Sequence, residues 1–120
     1  VEHLGAERIG HGVQVYRDPS AIQYLKEHKI PLELCLTSNY LTQAVEGGKD
    51  KHPIHELLKK GVLVTINTDD PGIFNCDLNS EYELLNQHFG FTEDEFRQCN
   101  QTAAKASFIS EEKKRKVWTF

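Results

Sequence analysis

The stretch "GVLVTINTDDPG", residues 61–72, runs apolar and β-branched until it meets two adjacent aspartates, and a Pro-Gly pair then stops it. Residues 62–68 read as a strand. The near-continuous apolar character, without polar alternation, marks a strand buried on both faces, as in a parallel sheet covered by helices. Closing such a strand on Asp69-Asp70 is costly, because two neighbouring carboxylates repel unless a positive group or a shared proton sits between them.

Working outward from this strand, the chain repeats one pattern. "RIGHGV" (8–13) is a short run ending in glycine, a strand followed by a loop. "DPSAIQYLKEHK" (18–29) is a helix with Asp18 as N-cap and Pro19 at its first position, and Ala21, Ile22 and Leu25 fall on one face. "IPLELCLTSN" (30–39) reads as a second strand with a polar end at Thr37-Ser38-Asn39. Residues 40–52 read as a long loop with a glycine pair, and 53–61 as a short helix closed by Gly61. After the third strand the chain turns helical. Ser80 with Glu83, and Thr92 with Glu95, have the spacing of capping boxes. The charge run Lys113–Lys116 belongs to a solvated helix face, with Glu111 facing Arg115 and Glu112 facing Lys116 at i,i+4.

Strand and helix alternating three times is the grammar of βαβ units and a parallel sheet. Three parallel strands expose unpaired edges, which suits an arc of a barrel better than a closed fold. The expected fold class is therefore α/β, with about three parallel strands, flanking helices and a helical C-terminus. With 120 residues, no methionine and Val1 as first residue, the chain is expected to form a single partial domain over 1–120 of a longer protein.

Composition narrows the function classes. Fourteen Lys+Arg against eighteen Asp+Glu give a net charge of −4, which disfavours a nucleic-acid binder. No apolar run approaches the ~20 residues of a membrane span. Cys35, Cys76 and Cys99 lack C-x-x-C spacing, and an odd count suits reduced thiols in a cytoplasmic protein. The zinc-deaminase signature H-x-E followed by P-C-x-x-C is absent, which disfavours an enzyme acting on bases in nucleic acids.

Each of the three strands ends in polar residues: His11, then Ser38-Asn39, then Asp69-Asp70. Strands running in parallel bring these groups to one face, the carboxyl end where such folds place their sites. An aspartate there is a good ligand for a divalent ion, its neighbour could contact a substrate, and His11 could orient or deprotonate a water. The bland alternative is that Asp69 caps the following turn and Asp70 precedes a Pro-Gly bend. His52 and His55, three residues apart, straddle a helix start and make a poor metal pair.

"RIGHGV", "LELCLTSNYL" and "TINTDDPGIF", in this order and spacing, closely resemble the adenosine deaminase family, and "GFTEDEFRQCNQTAAKASF" is similar to that family's closing helices. The resemblance covers essentially the whole chain. It implies the C-terminal part of a TIM (β/α)8 barrel and zinc-dependent hydrolytic deamination of adenosine, or a related 6-aminopurine nucleoside, to inosine and ammonia. By resemblance Asp69 is a zinc ligand, Asp70 contacts the purine N7, and His11 activates or orients the hydrolytic water. The family's H-x-H pair, its further histidine ligand and its proton-shuttle glutamate have no counterpart here, and the matching strands would precede Val1. Leu36 stands where the family commonly has proline. The expected partner is a purine nucleoside, and the isolated chain is expected to be inactive and to self-associate. The alternative is an inactive relative that only binds a nucleoside or associates with itself.

Overall fold

The computed structural model describes residues 1–118. Its centre is a three-stranded parallel sheet in the order β1 (Ile9–Gly10), β2 (Leu32–Leu34), β3 (Val64–Ile66). Leu32 lies opposite Ile9 on one side and Val64 on the other, and Leu34 opposite Ile66. Val64, Thr65 and Ile66 are all buried, so β3 is covered on both faces as its apolar run requires.

The helices are α1 (Pro19–Glu27), α2 (Leu36–Leu41), α3 (Ile54–Lys59), α4 (Pro71–Phe74), α5 (Leu78–Phe89), α6 (Glu93–Ala106) and α7 (Glu111–Val117). The Asp18 carboxylate accepts from the Ser20 and Ala21 amides, and Pro19 opens α1. Thr92 and Glu95 form the expected reciprocal capping box of α6. Ile22 and Leu25 of α1, Ile54, Leu57 and Leu58 of α3, and Leu85, Phe91 and Cys99 further on form one core with the strands.

Two helices return to the sheet by the same device. At the end of α3, the amide of Val62 donates to Leu57 O and that of Gly61 to Leu58 O, with Gly61 at φ 87°. At the end of α1, Ile30 donates to Leu25 O and Lys29 to Lys26 O, with Lys29 at φ 53°. Both are Schellman closures, in which a left-handed residue reverses the chain and an apolar residue follows it into the core.

The structure departs from the sequence reading in several places. The second strand is not ten residues long. It stops at Leu34, and Thr37, Ser38 and Asn39 lie buried in α2. The cause is long-range: Glu81 of α5 is fully buried, and its Oε2 accepts from the Thr37 amide in the first turn of α2 at 3.1 Å. Leu36 is the first residue of α2, a position where proline is itself favoured, so the helix starts with either residue. The expected loop 40–52 completes α2 and carries a 3-10 turn at Lys49–Lys51. The helix assigned to a Ser80 cap begins earlier. Asp77 is its N-cap, and Ser80 is the reciprocal partner three residues on, because the Asp77 oxygen reaches the Ser80 amide at 2.8 Å. Pro71 and Gly72 do not simply end the third strand but open the four-residue α4. Glu111 pairs with Lys114 rather than Arg115, while Glu112 pairs with Lys116 as expected.

The Glu81 contact is testable. Glu81→Ala strands a buried amide and should destabilise the protein by about 1–3 kcal/mol. Glu81→Gln, which keeps an oxygen for Thr37, should lose less. Urea unfolding of the two variants measures the difference, and equal losses would mean that side-chain volume, not the hydrogen bond, is what matters.

Candidate active site

The carboxyl ends of the strands meet as their common direction requires. Nε2 of His11, after β1, stands 3.6 Å from Oδ2 of Asp69, after β3. This is close enough for attraction but longer than a hydrogen bond. Both side chains are half-buried. Each is held by a neighbour from α2: the Ser38 hydroxyl donates to Asp69 Oδ2 at 2.7 Å, and Asn39 Nδ2 lies 3.1 Å from His11 Nδ1. Adjacent residues of one short helix thus brace the two strand ends.

The backbone at both positions is left-handed, with φ 56° at His11 and 62° at Asp69. This conformation costs a side-chain-bearing residue roughly 1–2 kcal/mol. Gly12 follows at φ 64°, and a Cβ there would lie 2.9 Å from Leu32 Cδ2, so only glycine fits after His11. Non-glycine strain of this kind gathers where a side chain must be aimed.

Asp70 takes no part in this network. It is exposed at the N-cap position of α4 and its side chain does not cap that helix. An open cleft of about 490 Å³ runs beside the pair, lined in part by Gly10, His11, Glu33, Cys35 and Asp69. Glu33 is paired with Arg8 at 3.2 Å. Burial pushes the Cys35 thiol up to about 12, aided by the nearby Asp69, Glu81 and Glu33 carboxyls. Cys35 is therefore a packing residue and not a nucleophile.

His52 and His55 serve different partners. His55 Nε2 is 2.8 Å from Glu95 Oε1. His52 is buried, accepts from the Ile54 amide at Nδ1, and places Nε2 3.0 Å from Asn39 Oδ1. The contribution of His52 to the site was invisible in the sequence. A histidine directly before Pro53, itself followed by a helix, signals only that its ring can turn back onto the helix start.

Among the described residues no group of three His, Cys, Asp or Glu side chains converges as a metal site would require. Asp69 offers one carboxylate, with His11 beside it, whereas a catalytic zinc takes three or more protein ligands. The donor set of residues 1–118 by itself therefore does not fit a catalytic zinc.

Three parallel strands, with helices between and after them, and polar groups gathered at the carboxyl ends define an α/β-barrel type of site. The adenosine deaminase family model matches residues 1–119. An adenosine deaminase of Xenopus laevis is 43% identical over 117 residues, which cover 98% of this chain and 33% of that protein. Among solved structures, an adenine deaminase from Arthrobacter aurescens superposes with a TM-score of 0.86 at 31% identity, covering 92% of this chain and 33% of the other. The N6-methyl-AMP deaminase of Arabidopsis thaliana gives 0.78 at 32% identity, covering 92% and 32%. The chain belongs to the adenosine deaminase family, and its fold is the C-terminal part of that (β/α)8 barrel. It spans about a third of the length of the relatives it matches.

Burial drives His52 from its ordinary 6.5 down to about 4. The folded protein then binds this proton less readily than the unfolded chain, so stability is full above about pH 6.5 and is lost as pH falls toward 4. At about 1.4 kcal/mol per unit the share amounts to about 3 kcal/mol. Urea unfolding at pH 7 and pH 4 should show a larger loss for the unaltered protein than for His52→Gln. Equal losses would mean that His52 does not titrate as a buried neutral group.

Proposed function

We propose that residues 1–120 form a single partial domain of a zinc-dependent deaminase that hydrolyses the 6-amino group of adenosine, or of a related 6-aminopurine nucleoside, to give inosine and ammonia. The observation that carries this reading is the His11–Asp69 pair, braced by Ser38 and Asn39 at the carboxyl ends of parallel strands in a chain of the adenosine deaminase family.

Asp69 would give one carboxylate oxygen to the metal. Ser38 fixes the rotamer of that carboxylate through Oδ2, which leaves Oδ1 outside the network. When bound, zinc lowers the pKa of a water so that it can attack at neutral pH. His11 presents Nε2 to the same space and orients the attacking group. Asp70, exposed and next to Asp69 in the chain, would contact the purine N7 if a proton lies between the two acceptors. The remaining metal ligands and the acid–base glutamate come from strands that complete the barrel, so the isolated 120-residue chain is inactive.

The relatives' names, adenine deaminase and N6-methyl-AMP deaminase among them, support a 6-aminopurine substrate class without separating its members. No helix among the described residues is long and apolar enough to cross a membrane. Together with three free thiols this supports a cytoplasmic enzyme.

In the whole protein carrying this chain, Asp69→Ala should abolish zinc retention, measured by metal analysis, and reduce turnover of adenosine by at least about 10²-fold. Full zinc content in that variant would sink the assignment. A second measurement concerns the chain alone. With β1 and β3 each paired on one side only, the isolated residues 1–120 should elute from a sizing column as oligomers or aggregates. A monodisperse monomer that unfolds cooperatively would count against a partial domain.

A further inference from the structure

Two side chains outside the chemistry above are nevertheless wired into it. Asn39 and His52 are 2% and 3% exposed, and together they form a polar chain running from a backbone amide to His11. The direction of every bond in that chain follows from its first member. The amide of Ile54 can only donate, so His52 Nδ1, 3.1 Å away, must accept and carry no proton. Neutral His52 then bears its proton on Nε2, which donates across 3.0 Å to Asn39 Oδ1. With its oxygen committed, the Asn39 amide turns its NH2 to His11, 3.1 Å away, and Nδ1 of His11 must accept. The proton of neutral His11 is left on Nε2, the nitrogen that faces Asp69.

We propose that His52 and Asn39 are positioning residues that fix the tautomer of His11, so that His11 turns a proton-bearing Nε2 toward Asp69 and the cleft. Burial keeps His52 neutral near pH 7, which preserves the acceptor at its Nδ1. Two donors, the Ser38 hydroxyl and the His11 Nε2–H, are then directed at the same oxygen of Asp69. The alternative tautomer would aim a lone pair at that oxygen and would leave Asn39 Nδ2 without an acceptor. The tautomer follows from this chain's own bonds, and only its consequence for turnover rests on the deaminase reading.

The test uses the whole protein with 15N-labelled histidine rings, examined by NMR near neutral pH with and without zinc. In the unaltered protein His11 should show a proton-bearing Nε2 and a bare, pyridine-type Nδ1, and His52 the same pattern. A proton on His11 Nδ1 overturns the proposal without any variant. Asn39→Asp, nearly isosteric, replaces the donor by an acceptor and should put a proton on His11 Nδ1. It should also lower kcat by roughly 10²- to 10⁴-fold with little change in KM. An unchanged His11 pattern in folded Asn39→Asp overturns the relay. A switched pattern with unchanged kcat upholds the relay and removes His11 from the chemistry, so the two readings fail separately.

Discussion

Parallel hydrogen bonding is the constraint from which the rest of this structure follows. A strand that pairs in parallel with its predecessor must be preceded by a chain that has travelled back the length of the sheet, and a helix is the compact way to do so. The two returns here, through α1 and α3, close with the same left-handed turn and drop Ile30 and Val62 into the core just before the next strand. Because each return delivers the chain to the same edge, the outgoing ends share a face. His11 and Asp69, 58 residues apart in sequence, meet there without any local device that pairs them.

The helix α2 converts that meeting into a defined geometry. It is only six residues long, too short to stand alone, and its first turn is capped from α5 by a side chain 44 residues away. Its reward is that two consecutive side chains, Ser38 and Asn39, reach opposite partners. The helix α5 therefore supports the site from behind as well as lining its cleft with Leu78: Glu81 holds the start of the helix that holds His11 and Asp69.

Much of the framework could be read from residues alone. Asp18-Pro19 and the Thr92/Glu95 box each carry a local physical signal and lie where that signal says, and the run 62–68 holds a buried strand, though only over Val64–Ile66. The segment 36–41 was misread because its sequence favours strand as readily as helix, and the deciding interaction comes from Glu81. The cap of α5 was misplaced because Asp77 and Ser80 are both good caps, and spacing does not say which comes first. At the site, the strand-end residues His11 and Asp69 were legible. The gathering of Ser38-Asn39 on the same face was legible too, but the bonds these two make and the part played by His52 were not, because a buried hydrogen-bond chain leaves no periodic trace in sequence.

The left-handed backbone at His11 and Asp69 places the two most chemically apt residues of the chain where glycine would be the relaxed choice. Evolution toward greater stability at these positions and evolution toward keeping their side chains pull in opposite directions. A lineage released from selection on its chemistry would be expected to drift to glycine at one or both positions, gaining robustness as it loses the pair. Histidine and aspartate therefore stand at these two positions against the backbone's own preference, at φ 56° and 62°.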